Sequence, residues 1–239
     1  MPSKVAPSPV FDSIPACMSA FKSGNFIIVL DSPSRENEGD LIIAAQDMDP
    51  AKMAFMIRYS SGLICTPLTA SRAKSLDLPQ MVTENADPNR TAYTVSVDAK
   101  HEHVTTGISA SDRALTCRVL ADEAATAGDL RRPGHVFPLR AREGGVRERP
   151  GHTEAAVEFC KLAGKSEVGV ICELVEDGDE SAEGLAERVG GGMMRRDSCL
   201  EFGKKWGLKV CTIEDLARYL QEKDKSGSET NGIKGKSHA

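Results

Sequence analysis

Two apolar runs bracket a strongly charged stretch. Phe26-Ile27-Ile28-Val29-Leu30 and Leu41-Ile42-Ile43-Ala44-Ala45 are rich in β-branched residues and short enough to be strands. Between them lies Arg35-Glu36-Asn37-Glu38-Gly39-Asp40, with three carboxylates in six residues, so the pattern predicts an acidic strand–loop–strand connection in which Gly39 makes the turn. Upstream, Asp12-Ser13 before Ile14-Pro15 predicts a helix to about Lys22, stopped by Ser23-Gly24-Asn25. Downstream, the pattern predicts helices at 51–59 and 69–76, a strand at 63–66, and a loop over 77–90. Thr91–Val97 alternates as a half-buried strand. A long amphipathic helix starts at Ser109, with Asp112 three residues on, and ends by Ala127-Gly128. Arg131–Gly134 reads as a turn and His135–Leu139 as a short strand, with Pro138 marking an edge or a strand end. A helix at 154–162 with Gly164 as its stop, a strand at 168–175, a Gly-rich excursion from 176, a helix at 198–206, a strand at 209–213 and a helix at 213–220 complete the order.

Strands and helices interleave irregularly. The class predicted is α+β, a single domain over 11–222 with a mixed parallel/antiparallel sheet flanked by helices. Residues 1–10 read as a flexible arm, and the polar segment 223–239 as a disordered tail.

Composition narrows the function. The chain has 239 residues, 40% hydrophobic and 27% charged, with a net charge of -5, and it carries no basic block for nucleic acid or an anionic membrane. No apolar run approaches a membrane span, and Met1–Pro9 lacks a signal-peptide core, so the expected location is cytoplasmic. The seven cysteines are odd in number and form no Cys-x-x-Cys, which argues against a disulfide framework and a structural zinc site.

The candidate chemistry is spread along the chain. The acidic hexapeptide reads either as a solvated loop or as a cation site. His152, in Arg149-Pro150-Gly151-His152-Thr153-Glu154, sits at a helix N-terminus, a ready anion site; the alternative is a plain cap with Thr153 as N-cap and Arg149 in a surface pair. Glu173, within an apolar strand, needs a partner or a site to face. Thr105–Ala110 is a second small-residue loop entering a helix. Carboxylates 36, 38 and 40 with His152 suit Mg²⁺ or Mn²⁺. Arg149, Gly151 and Thr153 suit a phosphate, and His135, Glu173 and a spare carboxylate suit proton transfer. Together they fit proton abstraction beside the carbonyl of a sugar phosphate.

Five motifs resemble 3,4-dihydroxy-2-butanone 4-phosphate synthase of riboflavin biosynthesis: Arg-Glu-Asn-Glu-Gly-Asp at 35–40, Thr-Thr-Gly-Ile-Ser-Ala-x-Asp-Arg at 105–113, Gly-His-Val-Phe-Pro-Leu at 134–139, Arg-x-Gly-His-Thr-Glu-Ala at 149–155 and Cys-Glu at 172–173. The excursion at 176–199 resembles the longer fungal version, and no fused second domain is expected. The resemblance implies a Mg²⁺-dependent lyase, a homodimer with sites near its interface, that converts D-ribulose 5-phosphate to L-3,4-dihydroxy-2-butanone 4-phosphate and formate. The route implied is enolisation, with the enediolate stabilised by the metal, then dehydration and skeletal rearrangement. By motif, Glu36 and His152 would hold the metal. Arg35, Glu36, Asp40, Thr106, Arg149, Pro150, Gly151, His152, Thr153 and Glu173 would contact substrate, and Cys65 would shape the pocket. His135, Glu173, Glu38 and Asp40 would be the catalytic groups. Two other classes compete: a metal-dependent pentose-phosphate isomerase or epimerase sharing the enediolate, and a binding module with a decayed site. The second conflicts with the presence of every motif carboxylate and histidine.

Overall fold

Alternate residues of the two apolar runs face opposite ways. In β1 (Ile27–Leu30), Ile28 and Leu30 enter one buried cluster while Ile27 and Val29 enter another; in β2 (Gly39–Ala44), Leu41 and Ile43 separate from Ile42 and Ala44 in the same way. Both faces of the sheet are therefore covered, which explains apolar runs without alternation. The computed structural model describes the backbone of residues 10–233 and the side chains of 10–225.

Further strands are β3 (Cys65–Leu68), β4 (Val97–Ala99), β5 (Leu130–Arg140), β6 (Gly169–Glu173), the two-residue strands β7 (Val175–Glu176), β8 (Asp179–Glu180), β9 (Arg188–Val189) and β10 (Gly192–Met193), and β11 (Lys209–Thr212). Seven form one sheet in the order β11-β1-β2-β6-β3-β5-β4. β1 pairs with β11, and β3 with β5, in parallel; the other neighbours are antiparallel. The excursion folds into two small ribbons, β7 with β10 and β8 with β9. Of the helices, α1 (Ile14–Lys22), α5 (His152–Ala163) and α7 (Ile213–Ile233) cover one face, contributing Phe21, Phe159 and Leu216. α2 (Pro50–Tyr59), α3 (Ala70–Ser75), α4 (Ala110–Ala121) and α6 (Arg196–Trp206) cover the other with Met53, Ala73, Cys117 and Phe202. The mixed sheet flanked by helices is the α+β class expected.

Several local expectations change. Gly39 is the first residue of β2 and not a turn; the left-handed residue is Asn37, at φ 56°. What Gly39 needs is closeness, since a Cβ there would lie 2.5 Å from the Cys199 sulfur on α6. Residues 91–96 form only isolated bridges, at Tyr93 and Thr94, and β4 starts at Val97. Thr94 donates both its N–H and its hydroxyl to the Pro138 carbonyl, at 3.0 Å each, and Pro138 has no N–H to return. The turn read at 131–134 is part of the long β5, in which Gly134 lets β4 cross close by: a Cβ would lie 2.0 Å from the Val97 carbonyl carbon. β4 pairs with β5 only as far as Val136, so Pro138 lies beyond that ladder, two residues from the end of β5. α4 ends at Ala121, because the Asp122 carboxylate accepts from the Ala124 N–H (3.0 Å) and turns the chain. α7 continues through Ile233, past the point where the folded domain was expected to end. Gln221, Glu222, Lys223 and Lys225 are good helix formers, and Arg147 Nη2 donates to Asp224 Oδ2 at 2.5 Å. Residues 1–9 and 234–239, parts of the expected arm and tail, lie outside the described residues.

Candidate active site

Register builds the centre of the site. Asp40 on β2 stands opposite Glu173 on β6. Each lies two residues from an apolar neighbour, Ile42 and Ile171, that packs on the α5 face, so both carboxylates point to that face. The N-terminus of α5 meets them there: His152 Nδ1 lies 3.6 Å from Asp40 Oδ1 and 3.8 Å from Glu36 Oε2. Ser61 Oγ donates to Glu173 Oε2 at 3.0 Å.

Asp31 organises the acidic loop. Its carboxylate accepts from the N–H of Glu36 (3.0 Å), the N–H of Glu38 (2.9 Å) and Arg35 Nη1 (2.8 Å). Arg35 also pairs with Glu36. Asn89 Nδ2 donates to Glu36 Oε1 at 2.7 Å, which ties the 77–90 loop to the site. Arg149 fastens the same loop: Nε donates to the Asn89 carbonyl (3.1 Å), Nη2 to Thr91 Oγ1 (3.1 Å) and Nη1 to the buried Glu154 (2.6 Å). Gly151, the N-cap of α5, makes room for this fork, because a Cβ there would meet Arg149 Nη1 at 2.3 Å. The cap has no side-chain bond, so Thr153 is not the N-cap.

Electrostatics follow from crowding. Burial, then Glu173, Glu36 and Glu38, pushes the Asp40 carboxyl well up. Glu38 is raised by burial and Glu36, against the opposing pull of Arg195. Burial lowers His152 to about 4, so its ring is neutral at pH 7. Its Nε2 faces the Val29 carbonyl at 3.1 Å, which can only accept; Nε2 therefore carries the proton and Nδ1 turns its lone pair to the carboxylates.

A divalent cation fits this set. Asp31, Glu36 and His152 each bring a ligand atom within 4.8 Å of the others. The buried Asp40 Oδ1 has no hydrogen-bond partner among the described residues, which is costly unless a proton or cation faces it. Carboxylates with one imidazole suit Mg²⁺ or Mn²⁺ better than softer metals.

Of the residues singled out in the sequence, Arg35, Glu36, Glu38, Asp40, Arg149, His152, Thr153 and Glu173 line one cleft of about 160 Å³. Cys65 is buried beside it with Tyr93 as partner; burial and the Glu173 charge raise its thiol well above the usual range, so it stays protonated. Pro150 lines a different hollow, behind the acidic loop with Phe11 and Pro33. Thr106 and His135 do not line the cleft. His135 pairs with Asp98, its N–H to Oδ1 at 2.8 Å and its Nδ1 to Oδ2 at 2.9 Å. Sequence reasoning missed Asp31, Asp87, Asn89, Thr91 and Tyr93. An aspartate directly after an apolar strand is the one local signal for Asp31; the others sit in a polar stretch without periodicity.

Carboxylates, an imidazole and two guanidinium groups around one small cleft define an enzyme-type site for a cation and a small anionic molecule. The chain belongs to the 3,4-dihydroxy-2-butanone 4-phosphate synthase family, whose model matches residues 15–219. A relative of that name from Pyricularia oryzae is 62% identical over 226 residues, covering 95% of this chain and 96% of its own. One from Schizosaccharomyces pombe is 52% identical over 210 residues, 87% of this chain and 97% of its own. A solved structure of a 3,4-dihydroxy-2-butanone 4-phosphate synthase in complex with two magnesium ions is 62% identical, with a TM-score of 0.88 over 90% of this chain and 99% of its own.

Proposed function

We propose that the chain is a Mg²⁺-dependent carbon–carbon lyase of riboflavin biosynthesis, converting D-ribulose 5-phosphate to L-3,4-dihydroxy-2-butanone 4-phosphate and formate. Mn²⁺ would serve as an alternative ion. The observation that carries the reading is His152 Nδ1 facing both Glu36 and Asp40 Oδ1, a buried oxygen with no hydrogen-bond partner among the described residues.

Glu36 and His152 are the proposed metal ligands, and a divalent cation held there would polarise the substrate carbonyl. Arg35 and Arg149, with the uncapped N–H groups of His152 and Thr153, would hold the anionic substrate; Pro150 and Gly151 shape that turn and Cys65 the floor. Glu38, Asp40 and Glu173, which line the same cleft, would move the protons of enolisation, dehydration and rearrangement, together with His135. The two products together contain the atoms of the substrate, so the water lost early is returned at formate release and no oxidant is needed.

His135 and Thr106 enter this reading through a homodimer with sites near the interface. The exposed apolar side chains Leu63, Met81, Val82 and Ile108 support such an interface. A cytoplasmic setting is supported by seven free, buried cysteines. Among the described residues no helix is long and apolar enough to cross a membrane. The test is incubation of the pure chain with ribulose 5-phosphate and Mg²⁺, followed by formate assay and product analysis. Formate with a four-carbon phosphate is expected; an interconverted pentose with no carbon lost would replace this reading with an isomerase or epimerase.

A further inference from the structure

The excursion after β6 ends in Arg195, and that side chain reaches back to the acidic loop. Arg195 Nη1 donates to the Glu36 carbonyl at 2.6 Å and the Asn37 carbonyl at 2.7 Å, and lies 3.9 Å from Glu38 Oε1. The two carbonyls flank the loop's left-handed residue: Asn37 has φ 56°, a conformation that asparagine tolerates better than most side chains and that turns both carbonyls toward Arg195. Arg195 is itself held. Its carbonyl accepts the Cys199 N–H (2.9 Å) at the start of α6, and the preceding Met194 N–H donates to the Leu174 carbonyl (3.0 Å), next to Glu173. Cys199, one turn along α6, also packs against Gly39. A firm base thus delivers one positive charge to the backbone that carries Glu36 on one side and Glu38 on the other.

We propose that Arg195 is a positioning residue: it clamps the Glu36–Asn37 backbone so that the Glu36 carboxylate faces His152, and so couples the excursion to the cation site. The proposal rests on Glu36 as a metal ligand. Losing one nitrogen that serves two carbonyls and a carboxylate removes at least one charge-assisted hydrogen bond, worth about tenfold in an equilibrium constant.

The test compares Arg195→Ala, Arg195→Lys and Arg196→Ala in the full chain. Arg196 stacks on Phe11, 5.9 Å from the ring centre, and controls for charge on the same helix. Three readouts are used: Mg²⁺ affinity by calorimetry, kcat and KM for ribulose 5-phosphate, and hydrogen exchange of the Glu36, Asn37 and Glu38 amides. For Arg195→Ala, about tenfold weaker Mg²⁺ binding, about tenfold lower kcat with KM little changed, and faster exchange of those amides are expected. Arg195→Lys should recover part of each, because an ammonium keeps the charge but sits on a side chain one atom shorter that reaches the two carbonyls less well. Arg196→Ala should match wild type. Wild-type Mg²⁺ affinity and amide protection in Arg195→Ala, or equal losses in Arg196→Ala, would overturn the proposal. If Arg195→Ala fails to fold, Arg195→Gln, which removes the charge, is measured in its place, and wild-type Mg²⁺ affinity and amide protection there overturn the proposal. If the wild-type chain releases no formate, the reaction reading fails, while the Mg²⁺ and exchange comparisons still decide the role of Arg195.

Discussion

Asp40 Oδ1 stands 3.6 Å from His152 Nδ1, buried and without a hydrogen-bond donor among the described residues. The burial that disfavours the carboxylate also disfavours the imidazolium: the Asp40 carboxyl is pushed well up and His152 is held at about 4.

Cation binding should therefore release a proton from Asp40. Mg²⁺ affinity is expected to rise with pH as this carboxyl ionises, and calorimetry in two buffers of different ionisation enthalpy should record the proton. An affinity independent of pH, with no proton released, would remove Asp40 from the cation's surroundings.

Asp40→Asn should trade activity for stability. A carboxyl raised in the folded state binds its proton more tightly there than in the unfolded chain. Stability therefore falls as pH rises from the unfolded value, about 3.9, toward the folded one. Removing that group should raise the cation-free Tm at neutral pH by a few degrees and flatten its pH dependence, while formate release is lost. Thermal melts from acid to neutral pH, paired with the formate assay, check both halves.

Glu36→Gln should leave the fold intact, because Gln can still accept from Asn89, but it removes a charged ligand. Turnover should drop by at least about a hundredfold and Mg²⁺ binding should weaken by several kcal/mol. Wild-type turnover in this variant would exclude Glu36 from the metal site.

Asp112 governs the loop at 105–107. It accepts from the Thr105 N–H (3.2 Å), the Thr105 hydroxyl (2.8 Å) and the Gly107 N–H (3.0 Å). Burial would raise this carboxyl, but those bonds outweigh it and hold it below its ordinary value. The stabilisation is thus complete above the unfolded value of about 3.9 and lost as pH falls through the lower, folded one. Hydrogen exchange should show the Thr105 and Gly107 amides protected at neutral pH. Asp112→Ala should release them there, at a cost of about 1–3 kcal/mol.

Asp98→Asn should disturb His135 alone. It keeps an acceptor for the His135 N–H but alters the partner that orients the ring. If His135 acts in the reaction, kcat should fall by about tenfold or more with Mg²⁺ affinity unchanged. An unchanged kcat would leave the pair a structural one.

What the sequence determined by itself is whatever depends on a few neighbouring residues. The apolar runs of β1 and β2, the caps at Ser13 and Ser109, and the left-handed stop at Gly164 were all readable, because strand stiffness and capping bonds act within a turn or two of chain. The motif residues Glu36, Asp40, His152 and Glu173 could be named from the sequence alone, but not their meeting. That came from strand register, which sets Asp40 opposite Glu173, and from α5 starting one residue after its Gly151 cap. Tertiary structure also decided that Asp31 anchors the loop, that Asn89 and Arg195 hold Glu36 from two distant parts of the chain, and that Gly134 lies inside a long strand. These contacts join residues far apart in sequence, where no local period or cap leaves a trace. The acidic loop would be only solvated charge without them; the packing of β2, β6, α5 and α6 turns it into a site.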